Sequence, residues 1–193
     1  PKVMTGRSLV PILKSKKEGL INKKSNWVIT GRERHVAKAR EGMLPYPQRA
    51  LRTEEFLYII NFAPDRWPMG NPYNLTKDST PEHRQLEHNT FITYGDLDAS
   101  PTKAWVIEHR NDEKWKWFYD YAFAKRPREE LYVLADDPDQ IKNVAYDEKY
   151  AAAKRKLNRQ LMNRLKKARD PRVLGDGSTF DKPPYVAAPP KRR

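Results

Sequence analysis

Glu130-Leu131-Tyr132-Val133-Leu134-Ala135-Asp136-Asp137-Pro138-Asp139-Gln140-Ile141-Lys142-Asn143-Val144-Ala145 holds a strand, a stop and a helix start in one short stretch. Leu131 to Leu134 reads as the strand, and the chain turns at Asp136-Asp137. The spacing Asp-x-x-Gln (Asp137 to Gln140), with Pro138 at the first helical position, predicts a capped helix start. An Asp side chain accepts from the open N–H groups of a first turn, and proline lacks the N–H that would be left over there. Capping and turn chemistry explain the acidic pair; a metal site is the alternative reading.

Working outward, Tyr46 to Arg52 and Phe56 to Phe62 read as two strands joined by Thr53-Glu54-Glu55. Arg49, Leu51 and Thr53 share one face, opposite Gln48, Ala50 and Arg52. The second strand is apolar on both sides, which predicts a central place in a small antiparallel sheet with Leu131–Leu134 as a further member. From Asp147 to about Ala168 a helix is expected, with Tyr150, Ala153, Leu157, Leu161, Leu165 and Ala168 along one buried stripe and lysines and arginines around the rest. Ser100-Pro101 predicts another helix start, running to about Arg110. The aromatics of 112–123 are expected to pack on the small sheet; a carbohydrate platform or a base-stacking surface is the alternative. Gly6 to Lys14 reads as a short helix or turn whose apolar side meets a sheet. Residues 63–99 read as one long loop, with Asn74-Leu75-Thr76 a glycosylation sequon in a eukaryotic secretory setting.

The 193 residues are 38% hydrophobic with a mean hydropathy of −0.94, enough for one domain with long surface loops. No apolar run approaches the ~20 residues that span a bilayer, and no basic-then-apolar leader is visible, so a soluble chain is expected. The absence of cysteine excludes disulfides, thiolate metal sites and a thiol nucleophile. The formal charge of +13 is uneven: 13 basic residues face 5 acidic ones in 1–60, 11 face 15 in 61–145, and 14 face 5 in 146–193. A polyanion could use the basic ends, but a solvated helix face and a basic tail account for much of the excess.

Glu-Leu-Tyr, then Asp-Pro-Asp-Gln, then Asn-Val-Ala and a long helix resembles the C-terminal signature of the formylglycine-dependent sulfatases, although Val133 stands where most members carry Asp. Tyr46-Pro47-Gln48-Arg49-Ala50-Leu51-Arg52, followed by Phe56-Leu57-Tyr58-Ile59, and Lys125-Arg126-Pro127-Arg128-Glu129-Glu130-Leu131-Tyr132 resemble the N-sulfoglucosamine sulfohydrolase (sulfamidase) branch. With Gly6-Arg7-Ser8-Leu9 and Thr30-Gly31-Arg32-Glu33-Arg34-His35, the resemblance covers roughly residues 4–173. It implies an α/β chain, the C-terminal part of an alkaline-phosphatase-like fold. Residues 1–45 would end the catalytic domain and its large sheet, 46–171 would form a subdomain with a small antiparallel sheet packed by a long C-terminal helix, and 172–193 would be a basic, mobile, proline-rich tail.

Asn26 to Thr30, a short apolar run ending at Gly31, reads as a strand buried on both faces. The resemblance makes it one of the last strands of the large sheet. Glu33, Arg34 and His35 follow at its C-terminal end, where open α/β sheets collect ligands, and with Arg49 they are the candidate substrate-binding residues. Their expected role is recognition of sulfate or uronate oxygens by charge-assisted hydrogen bonds; an exposed charged loop, and for Arg49 a structural ion pair, are the alternatives.

The resemblance also implies chemistry that these residues do not supply. Calcium and a formylglycine made from Cys or Ser in C/S-x-P-x-R belong to the missing N-terminal catalytic part, the expected partner together with a sulfated carbohydrate substrate. Ser79-Thr80-Pro81-Glu82-His83 has His where Arg is required and is rejected. No catalytic residue, metal ligand or cofactor is therefore assigned within the chain, and sulfatase activity of the chain alone is not expected. The family implies a periplasmic, secreted or lysosomal setting and no membrane partner. Competing classes are a basic nucleic-acid-binding module and a structural interaction module.

Overall fold

The structure, a computed structural model, describes residues 8–22 and 26–183. Four strands, β1 (Trp27–Arg32), β2 (Gln48–Thr53), β3 (Phe56–Asn61) and β4 (Glu129–Val133), form one antiparallel sheet in chain order. The β2–β3 link needs no glycine: the Thr53 hydroxyl accepts from Phe56 N–H and donates to Phe56 C=O, closing the turn around Glu54-Glu55. Register places Ile29, Leu51, Tyr58 and Leu131 side by side in one row, so one face of the sheet is apolar across its width.

Helix α5 (Ala151–Lys167) lies on that face. Leu157, Leu161 and Leu165 are buried, forming with Leu51, Tyr58 and Leu131 the core that the helical spacing predicts. Two polar ties fix the docking: Asn158 donates to the Tyr58 hydroxyl at 2.8 Å, and Lys154 pairs with Glu129 at 3.4 Å. Asp147 starts the preceding 3-10 turn (Glu148–Tyr150) by accepting from Lys149 N–H.

Three expectations about the sheet region are corrected. The stretch after Asp137 is not a helix. Asp137 accepts from the N–H groups of Ile141 and Lys142, and Gln140 takes a left-handed φ of 57°, so the capping aspartate closes a loop. Asn143 then stitches that loop back to β4, accepting from Leu131 N–H and Ala145 N–H and donating to Glu129 C=O. Second, β1 is an edge strand of the small sheet. It pairs with β2 alone, and Val28 is 50% exposed, because a strand with one neighbour and one covered face cannot be buried on both. Third, the short helix α1 (Val10–Leu13) buries none of its residues.

A second unit fills residues 63–127. It contains α2 (His83–His88), α3 (Pro101–Glu108) and α4 (Lys116–Phe123), around a separate core of Leu75, Leu86, Tyr94, Ala104, Ile107 and Phe123. The 63–99 stretch thus holds a helix that its lack of periodicity hides; Glu82 and Gln85 form a reciprocal capping box at its start. Ser100 caps α3 as its sequence predicts, its hydroxyl accepting from Lys103 N–H. The aromatics of α4 pack here and not on the sheet: Tyr94 stacks on Phe123 with centroids 4.3 Å apart. Trp117, Phe118 and Tyr121 keep part of their rings exposed.

Candidate functional site

Glu33, Arg34 and His35 leave the C-terminal end of β1, and Arg49 lies beside them on β2, paired in register with Gly31. That glycine is needed, since a Cβ there would come 2.8 Å from Arg49 Cδ. Across the space it leaves, Arg49 forks onto Asp170 at 2.7 and 3.1 Å and reaches Glu33 at 2.8 Å. Arg172 binds Glu33 and Asp181, each at 2.6 Å, and Arg66 takes the other Asp181 oxygen at 2.6 Å. Asp170, Arg49, Glu33, Arg172, Asp181 and Arg66 thus alternate in sign along one continuous line.

Burial alone would lower the pKa of Arg49 and Arg172; the facing carboxylates outweigh it and the net shift is upward. Burial would likewise raise Asp170 and Asp181, but the guanidinium partners hold both below the ordinary carboxylate value. Charge neutrality within the line makes it a fastener: it joins the β1 exit, β2, the end of α5 and the 170–181 segment. Glu33 and Arg49 are accordingly occupied by each other and by their partners. The expected tail is also shortened. Arg172 is buried, and residues 172–181 are folded against the sheet unit through a 3-10 turn, Thr179–Asp181; residues 184–193 lie outside the described residues.

Arg34 donates to Met43 C=O from Nε and Nη2, at 2.9 and 2.5 Å, and to Phe180 C=O at 3.2 Å. It binds the 41–44 loop to the 180 turn, while His35, next in sequence, is exposed. The structure therefore brings all four candidates to one end of β1 and β2, gives Glu33 and Arg49 structural partners, and leaves His35 at the surface.

Two further arginines carry this region and were not singled out from sequence. Arg40, buried, donates to Trp67 C=O and Pro68 C=O, each at 2.7 Å, and pairs with Asp96 at 2.5 Å; Arg32 donates to the same Pro68 carbonyl at 3.0 Å. Their guanidiniums lie 5.1 and 5.6 Å from the centroid of the buried Tyr46 ring. Burial pushes the Tyr46 phenol up to about 12. Arg66-Trp67-Pro68 is thereby fixed beside the β1 exit, which resolves the long loop as an ordered one. Only Asp96 among the partners is a side chain, and backbone carbonyls leave no mark in a sequence.

The chain matches no known family model and no curated protein.

Among the described residues no three His, Asp or Glu side chains are arranged to hold a metal ion, so the residues present do not fit calcium. No helix is long and apolar enough to cross a membrane. With an anchored acidic residue, a tethered arginine and an exposed histidine, the β1 exit can present fixed polar groups to an anion. It supplies no activated nucleophile.

Proposed function

We propose that this chain is the C-terminal region of a sulfatase hydrolysing sulfate esters or N-sulfates on sulfated glycans, similar to an N-sulfoglucosamine sulfohydrolase, and that it shapes the substrate cleft. The quoted signature residues support the reading. One structural observation carries it furthest: Glu33 is gripped by two arginines, so Arg34-His35 is held at the end of a strand instead of on a free loop. Preorganised donors of this kind lose little entropy when they meet a sulfate or carboxylate. In this reading Arg34 fixes the loop and His35 contacts the glycan. The sulfur chemistry belongs to a formylglycine and calcium in the catalytic part upstream.

The decisive experiment reads the coding sequence upstream of Pro1 for C/S-x-P-x-R and assays the complete protein. His35→Ala is expected to lower the specificity constant on a sulfated glycan by ~10- to 100-fold, and to leave a small aryl sulfate nearly unaffected. Parallel losses on both substrates would assign His35 to folding or chemistry. Absence of the upstream motif would remove the sulfatase reading altogether.

A further inference from the structure

In the second unit a cleft of about 300 Å³ opens between the 67–77 loop and α4. Its wall is aromatic. Tyr94 meets Trp67 edge-on at 6.0 Å, and its hydroxyl lies 2.6 Å from that of Tyr119. Tyr94 also holds a left-handed backbone, φ 47°, an arrangement that bulky residues keep only where surrounding packing enforces it. The rim is cationic: Lys77, Arg110 and Lys116 face a single carboxylate, Asp120, which pairs with Lys116.

Arg110 is the telling member. It is buried, and its hydrogen bonds go to the carbonyls of Ile107, Thr76 and Ser79. Carbonyl dipoles satisfy its donors without cancelling its charge, so a positive field persists at the cleft. An aromatic wall with cations at the rim suits a ring that has one flat apolar side and carries an anionic group.

We propose that this cleft binds one anionic sugar residue, a sulfated hexosamine, through residues distinct from the Arg34-His35 loop. The choice of a sulfated sugar over other anionic rings rests on the sulfatase reading; the cleft itself does not. Lys77 and Lys116 would contact the sulfate and the Trp67–Tyr119 wall the ring, with Asp120 accepting from sugar hydroxyls.

The test is an NMR titration of the isotope-labelled 193-residue chain with glucosamine N-sulfate. Saturable shifts are expected at Trp67, Thr76, Lys77, Lys116 and Tyr119. Lys77→Ala and Lys116→Ala, both at exposed positions and so harmless to folding, should each weaken binding about tenfold, and N-acetylglucosamine and inorganic sulfate should each bind about tenfold more weakly. The proposal is overturned by absence of saturable shifts, by shifts confined to Arg34 and His35, by inorganic sulfate binding as tightly as the sugar, or by wild-type affinity in both lysine variants. Binding here in a protein whose upstream sequence lacks C/S-x-P-x-R would keep the site and dismiss the sulfatase reading; the motif without binding would do the reverse.

Discussion

The sheet–helix unit and the 63–127 unit bury charge in opposite ways. In the first, cations meet carboxylates: Arg49 with Asp170 and Glu33, Arg172 with Glu33 and Asp181. In the second, Lys103 and Arg110 are buried among backbone carbonyls, Lys103 donating to those of Thr90, Tyr94 and Leu97. Their cores differ too, leucines on a sheet in one and stacked aromatics in the other. Paired charge fastens distant segments and is electrically silent, whereas carbonyl-held charge rigidifies a loop and leaves its field available to a ligand.

The largest effect is expected from breaking a pair. Arg49→Leu strands Asp170 and deprives Glu33 of one of its two cations, and truncating one partner of a buried ion pair costs ~3–5 kcal/mol. Urea melts should show that loss, with part of it recovered in Arg49→Leu/Asp170→Leu. Acid should act in the same direction. The folded-state pKa of Asp170 and Asp181 lies below the unfolded value of 3.8, so their contribution is present above that pH and is lost as pH falls through the lowered values. A loss under ~1 kcal/mol would mean that solvent does the work of the pairs.

Close behind is Leu161→Ala, which opens a cavity at a fully buried position of α5 and should cost ~2–5 kcal/mol. Lys156→Ala, on the exposed face of the same helix, should cost almost nothing. Equal small losses would show that α5 does not dock on the sheet.

That leucine stripe was legible because helix period and burial coincide, as were the β2–β3 hairpin and the Ser100 cap, all features of local sequence. What was hidden depends on long-range partners. Arg172 reads as the start of a loose tail until Glu33, 139 residues earlier, is seen beside it. Asp137-Pro138 carries a valid helix-start pattern, but Asn143 ties the following loop onto β4, and that tertiary bond overrides the local preference. Trp27 to Thr30 has the composition of a central strand, and composition does not say how many neighbours a strand has. At the candidate site, Glu33 and Arg49 could be named from sequence, yet their engagement depends on Asp170 and Arg172.

Lys103 offers a smaller, pH-dependent test of the carbonyl-held half. Burial lowers its pKa from 10.5 to about 8, with Asp98 offsetting only part of the shift. Between those values the unfolded chain binds more protons than the folded one, so stability from this group rises with pH. Below pH 8 the burial penalty is fully present. Above about 10 the sign reverses, because burial also raises Tyr46, Tyr58, Tyr94 and Tyr132, which keep protons that the unfolded chain gives up. Urea midpoints of wild type and Lys103→Met should therefore change in wild type's favour from pH 8 to 10, and parallel pH profiles would refute the assignment.

The mildest test asks whether the two units open separately. Ser100→Ala removes one side-chain cap from α3 and should cost about 1 kcal/mol, with Ser100→Gly costing only a few tenths. Where the loss appears matters more than its size. Ser100 caps the turn from which Lys103 reaches the carbonyls of Thr90, Tyr94 and Leu97, so the cap and the clamp share one short helix. The core around Ile107 and Tyr94 is separate from the leucine core under α5. Amide exchange in Ser100→Ala should therefore speed up in α3 and in 90–97 while the α5 amides keep their protection, as expected of units that open independently. Uniform acceleration through α5 would show that the two halves unfold as one, and the contrast between paired and carbonyl-held charge would then describe chemistry within a single cooperative unit.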